Sequence, residues 1–210
     1  MYRVCMPVLD VVKHRRDDNP VSSHEAPLDA RSALLAAARA ELEEHGVVAV
    51  SLRAVARRAG LSHASPGYFF GDRAGMLTAL ATEGFAELAE ALGRASALAD
   101  GASLTLLGTT YIDFGLSRGA LFDLMFQRDF LHSSDPDLQA ARQRALALLV
   151  DATGAGSEPT VDTLMSWALV HGLVTLARQH ALPTEEDDVV ATARRITKRF
   201  AQVLGSNLKR

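Results

Sequence analysis

From Asp29 onward, apolar residues recur at three- and four-residue steps and no alternating pattern is sustained, so the chain predicts helices and no sheet. Leu34, Leu35, Ala38 and Leu42 form one face of a first helix from Asp29 to His45, with Asp29 as its N-cap and Gly46 just past its end. Leu52, Val55, Ala56 and Ala59 do the same from Ser51 to Gly60. Gly71-Asp72 restarts the chain as a long helix to about Ala97, apolar at Met76, Leu77, Leu80, Phe85, Leu88 and Leu92. A helix from Ala102 to Ser117 and a short one around Ala120 to Phe126 follow. The next is opened by Asp135-Pro136, a cap followed by proline at the first helical position, and runs to about Thr153. A loop from Gly154 to Pro159 separates it from two final helices, Thr160 to His180 and Thr184 to Gly205, the latter opened by Thr184 and Asp187 as an approximate capping box. Met1 to Pro27 breaks the pattern: it is turn-rich, weakly periodic and carries a basic His14-Arg15-Arg16 cluster, so residues 1–28 read as a mostly disordered arm.

The most specific local signal is the junction after the second helix. Ala56 lies four residues before Gly60, so a small side chain stands where two helices must approach closely. Gly60 supplies the positive φ that closes the first of them, Leu61 fills the wedge between them, and Ser62 is placed to cap the next. Such a helix-turn-helix presents the leading residues of its second helix to base edges in the major groove while neighbouring donors hold phosphates. Ser62 is then a cap or phosphate contact, His63 and Ser65 are base-edge candidates, and Ala64 is sized for a thymine methyl. Ser51, as N-cap of the preceding helix, and Arg53 in its first turn are candidates for phosphate.

These features, together with Phe70-Gly71-Asp72-Arg73-Ala74-Gly75-Met76-Leu77, resemble the bacterial one-component regulators of the tetracycline-repressor type. The resemblance implies an all-α fold: an N-terminal three-helix helix-turn-helix DNA-binding domain over 29–78, and a C-terminal helical ligand-binding and dimerisation domain over 79–210. It also implies a phosphate contact at Arg73, the family's basic position after the phenylalanine. The chain departs from the family where a tyrosine normally stands three residues before that phenylalanine and a histidine directly before it. Gly67 and Phe69 occupy those places, and Tyr68 stands one position late. Tyr68 and Phe69 are accordingly either core or DNA-facing, and Pro66-Gly67 predicts a short or distorted second turn.

Composition narrows the remaining choices. A 210-residue chain that is 48% hydrophobic can bury a substantial core as one large or two small domains. It carries no apolar run near the ~20 residues of a membrane span, and its broken apolar start does not read as a signal peptide, so the cytoplasm is expected. Cys5 is the only cysteine, which excludes an intrachain disulfide and thiolate metal sites. The net charge of −3 hides an asymmetry: Arg53, Arg57, Arg58 and Arg73 against Asp72 give a local +3 around the helix-turn-helix, whereas twelve basic residues face sixteen acidic ones from Ala79 to the end. The seven histidines show no metal-ligand spacing and no nucleophile or nucleotide-loop motif is present, so neither catalysis nor a metal or cofactor is expected.

In the body, Trp167, His171 and Thr175 fall on one helical stripe beside Gly172, with Tyr111, Phe114, Met125 and Phe126 upstream. These look like a subgroup of the same family with a Trp, His and Gly signature. Tyr111, Phe114, Met125, Phe126, Trp167 and His171 make either a plain helical core with a hydrogen-bonded histidine or the lining of a pocket for a small apolar effector. Val189, Ala193, Ile196, Phe200 and Val203 repeat at helical steps on the last helix, a face that is either internal or, as the resemblance implies, part of a four-helix homodimer interface. The expected partners are thus a palindromic duplex operator, a second copy of the chain and an unidentified small apolar molecule that releases a repressor from that operator. The competing expectation is a non-catalytic helical adaptor, or a DNA-binding protein without an effector.

Overall fold

The structure, a computed structural model, describes residues 25–98, 103–154, 156–182 and 189–207. Most of the expected N-terminal arm, Cys5 and the Thr184–Asp187 cap lie outside the described residues. Within them the chain is helical throughout: α1 (Glu25–Ala49), α2 (Leu52–Arg58), α3 (Ser65–Phe70), α4 (Arg73–Leu98), α5 (Leu104–Ser117), α6 (Gly119–Phe126), a 3-10 turn (Arg128–Phe130), α7 (Pro136–Ala152), α8 (Val161–Arg178) and α9 (Val189–Asn207). Among the described residues no helix is long and apolar enough to cross a membrane.

Helix α1 starts at Glu25, so Asp29 is an exposed residue inside the helix and not its N-cap. Pro27 does not prevent this, because it falls in the first turn, where its missing N–H has no intrahelical acceptor to satisfy. At the other end Gly46 takes φ 73°, ψ 165° and breaks the helix where a C′ glycine was expected. Asp135 and Pro136 open α7 as expected, with the Asp135 carboxylate accepting from the Leu138 N–H at 2.9 Å. The cap on α8 was not foreseen: Thr160 and Thr163 each bond the other's backbone N–H.

Helix α4 organises the molecule. It packs on α1, α3, α5, α6 and most extensively α7. Met76, Leu77, Leu80, Phe85, Leu88 and Leu92 of α4 are all buried, joining Leu34, Leu35 and Leu42 of α1 to Ile112, Leu121 and Leu124 of the body in one continuous core. Each such fully buried side chain contributes on the order of 1.5–3 kcal/mol. Close helix approach depends on missing side chains: a Cβ at Gly84 would lie 2.8 Å from Met125 Sδ on α6, and one at Gly115 would lie 2.6 Å from Val174 on α8. The final helices run against α5, with Ala193 and Thr197 of α9 buried there.

Candidate nucleic-acid interface and internal cavity

The turn between α2 and α3 forms as its residue types require. Ser51 is extended and its Oγ accepts from the Ala54 N–H at 3.2 Å, capping α2. Ala56 is wholly buried, its carbonyl accepts from the Leu61 N–H at 3.0 Å, and Gly60 adopts φ 68°. The next helix, however, begins at Ser65, with Ala64 and not Ser62 at the N-cap position. Ser62 Oγ is bonded to Ser65 Oγ at 2.8 Å instead of to a backbone N–H, so Ser62, His63 and Ala64 form an exposed turn ahead of α3. Pro66 is buried in the first turn of α3, a position that tolerates proline, so it opens the helix and does not distort its second turn. After six residues α3 ends at Gly71, φ 76°.

The structure separates the two aromatic candidates on α3. Tyr68 is 83% exposed, its ring edge-on to Phe69 at 5.0 Å. Phe69 and Phe70 are half-buried against the core, with the Arg31 guanidinium 5.3 Å from the Phe70 ring centre. Ser51, Arg53, Ser62, His63, Ala64 and Tyr68 are exposed, Ser65 is half-buried, and Arg57, absent from the expected contacts, is exposed one turn after Arg53. Since α2 packs on α3, these residues lie on adjoining elements.

Two of the four arginines of the basic head are committed elsewhere. Arg73 was expected to hold phosphate, but its Nε donates to the Val50 carbonyl at 2.7 Å and its Nη2 to that of Val47, with Phe130 stacked 5.4 Å away. It pins the α1–α2 turn to the start of α4, because those carbonyls follow the helix break at Gly46, where that of Val47 receives the Val50 N–H at 3.4 Å in a turn. Arg58 forks onto Glu44 at 2.7 and 2.5 Å and reaches the buried Glu41 at 2.7 Å. That hydrogen bonding holds the Glu44 carboxyl below its ordinary range and the guanidinium above its own. Arg53 and Arg57 make no ion pair among the described residues.

Behind the head, α4 to α9 line a partly open, mostly apolar cavity of about 490 Å³. Tyr111, Met125, Phe126 and Trp167 line it, as expected. Phe114 is buried outside it, and His171 stands behind the wall as part of an aromatic cluster, its ring 4.5 Å from that of Phe126. The Trp167 indole donates to the Tyr111 oxygen at 3.3 Å, and the phenol is hydrogen-bonded to His171 Nδ1 at 3.0 Å. Burial pushes the Tyr111 phenol up and the His171 imidazole down, which favours the neutral form of both. Sequence reasoning missed Phe85, Leu88 and Leu92 of α4 as lining residues, and also Arg128 and Arg142. The helical period marks the first three only as core, and the two arginines, Arg128 exposed and Arg142 half-buried, look like solvated charges until the fold brings them to the cavity.

The expected dimer face divides as well. Ala193 is fully buried within its own chain, and Phe200 is half-buried and lines the cavity; both follow the inner side of an amphipathic helix that is apolar on more than one face. Val189 is half-buried, while Ile196 and Val203 are exposed. The larger outward apolar stripe belongs to α8, at Val161, Leu164, Met165 and Leu176, with Gly172 between them and nothing within 4 Å of where its Cβ would stand.

Comparison with known proteins agrees with this arrangement. Residues 34–80 match the profile of bacterial regulatory proteins of the tetR family, and residues 104–200 match that of the tetracyclin repressor-like C-terminal domain. Among solved structures, a protein of unknown function from Rhodococcus sp. RHA1 is 29% identical with a TM-score of 0.68, covering 90% of this chain and 98% of its own. A TetR family transcription regulator from Marinobacter aquaeolei VT8 is 21% identical with a TM-score of 0.59, covering 84% and 97%. The TetR-like regulator LfrR from Mycobacterium smegmatis, solved in complex with proflavine, is 19% identical with a TM-score of 0.60, covering 81% and 95%. A search of curated proteins finds no match to the chain.

Proposed function

Because the chain belongs to the tetR family of bacterial transcriptional regulators, we propose that it is a homodimeric repressor. It holds a palindromic operator through residues 29–78 and is released by a small molecule bound within residues 79–210. The observation that carries this reading is the path of α4. Its N-terminal end supports α3 and the α1–α2 turn, and Phe85, Leu88 and Leu92 farther along the same helix wall the cavity. A molecule that shifts those side chains acts on a rigid rod whose other end carries the DNA-contacting elements. The 3-10 turn adds a second route, since Arg128 lines the cavity and Phe130, two residues on, packs over Arg73.

On the DNA side, Ser62, His63, Ala64, Ser65 and Tyr68 are assigned to the groove, with Ser51, Arg53 and Arg57 on phosphate. Phe69 is reassigned to packing that sets the angle of α3. The outward stripe of α8 with Ile196 of α9 is assigned to the second copy, and Gly172 supports it by leaving room for a partner helix at close range. A twofold dimer of this kind places its half-sites roughly one helical turn, ~34 Å, apart. Selection from random duplex DNA tests the proposal: a palindromic winner is expected, and a folded dimer that enriches no sequence contradicts it and favours a helical adaptor.

A further inference from the structure

The cavity wall is largely apolar, and its charged groups are Arg142 of α7 and Arg128 of the 3-10 turn. The ion pairs of the described residues involve Arg39, Arg58, Arg94, Arg118, Arg178 and Arg194, and leave these two out. Arg142 lies 5.3 Å from the Phe85 ring centre and gives one N–H to the Met125 carbonyl at 3.4 Å, against the five that a guanidinium carries. Loss of hydration and the neighbouring charge of Arg128 both press its proton affinity down, so the half-buried Arg142 and the exposed Arg128 are two like charges close together at the cavity without a counter-ion.

The other polar groups of the wall are already bonded within the protein. Ser166 donates to the Asp162 carbonyl at 2.7 Å, Thr197 to that of Ala193 at 3.0 Å, and Trp167 to Tyr111, whose hydroxyl is bonded to His171. The guanidinium groups therefore supply the charged hydrogen-bond donors of this cavity. Two unpaired guanidiniums at an apolar wall are matched by an acceptor of negative charge, and the fork of arginine suits a carboxylate or phosphate.

We propose that the effector is an organic anion, a carboxylate or phosphate head on an apolar body, with the head held by Arg128 and Arg142 and the body lying against Leu88, Leu92, Phe126 and Trp167. The assignment rests on the cavity being the effector site, and it sharpens the earlier expectation of a purely apolar molecule. A head group at Arg128 also engages the turn that carries Phe130 to Arg73.

Trp167 is the only tryptophan in the chain and stands in the cavity wall, so its fluorescence reads occupancy independently of DNA. The full-length protein is titrated with decanoate, decyl phosphate, decanol and decylamine. At least one anion is expected to bind about tenfold or more tighter than decanol, as a charge-assisted hydrogen bond predicts, and decylamine is expected to bind weakest. The stronger of the two anions identifies the head. Arg128→Gln, an exposed site whose loss does not threaten the core, and Arg142→Gln should each erode the preference for the anion, while decanol binding stays unchanged. Equal binding of decanoate, decyl phosphate and decanol, no response to either anion, or an undiminished anion preference in the Arg128→Gln/Arg142→Gln double variant overturns the proposal. A duplex titration of the same preparation separates the two readings: operator binding that survives such a result leaves the regulator standing without this effector class, and its absence removes both.

Discussion

Replacing Arg73 by methionine distinguishes a structural clamp from a phosphate contact. The side chain donates to the carbonyls of Val50, which is buried, and Val47, which is half-buried. Hydrogen bonds involving a charged group contribute about 1.5–3 kcal/mol each when both partners are shielded from water. Taking the lower end for a half-buried guanidinium, two bonds give a loss of about 3 kcal/mol, or a fall in Tm of roughly 6–12 °C for a chain of this size. Arg73→Lys should recover little of this, because an ammonium does not fork across two carbonyls. Thermal melting by circular dichroism reads the loss, and DNA affinity across a salt series reads the alternative. A clamp leaves the slope of log K against log salt unchanged, whereas a lost phosphate contact lowers it by about 0.9. An unchanged Tm together with a slope reduced by that amount would refute the clamp and restore the phosphate role.

Other outcomes follow from equally local features. Gly75→Ala sets a Cβ 2.1 Å from the Phe70 carbonyl oxygen, so α3 must move relative to α4; a loss of about 1–3 kcal/mol with weakened operator binding is expected, and a variant normal in melting and gel shift would show that α3 has slack. Arg53→Ala and Arg57→Ala should weaken binding to every sequence and lower the salt slope by about 0.9 each, while His63→Ala should change base preference; the same loss on operator and random duplex for all three would contradict that division. Met165→Glu with Leu176→Glu puts two charges on the outward stripe of α8 and should convert a dimer to monomers by light scattering, whereas a persisting dimer places the interface elsewhere. His171 has a folded pKa below the imidazole's ordinary 6.5 because burial disfavours its cation. Its stabilising contribution is therefore complete above pH 6.5 and is lost as pH falls from there through the lowered folded value. His171→Gln should flatten that limb of a Tm against pH curve, and an unaltered acid limb would exclude His171 as its source.

The helical architecture was legible because period and punctuation agree along the chain. Leu34, Leu35, Ala38 and Leu42 mark the buried face of α1, and Gly46, Gly60 and Gly71 stand at the positive-φ positions where helices end. What escaped the sequence depends on partners distant along the chain or on competing local bonds. Ser62 is chemically able to cap a helix, yet its hydroxyl finds that of Ser65, and α3 starts two residues late. Arg73 has the charge for phosphate, but the carbonyls it meets lie 23 and 26 residues earlier, at a turn whose path local sequence does not specify. Four of the six pocket candidates line the cavity because large apolar residues near the centre of helices face inward. Arg128 and Arg142 were unreadable for the opposite reason: an arginine among other charged residues looks solvated until α7 and the 3-10 turn are packed against α4.

The most direct test of the regulator reading is the ratio of dissociation constants for the selected palindrome and a scrambled duplex of the same length and composition, measured by fluorescence anisotropy at physiological salt. Specific recognition by a dimer predicts that the palindrome binds about 10³-fold or more tighter. Equal affinity for the two duplexes, from a protein that is folded and dimeric, would contradict it.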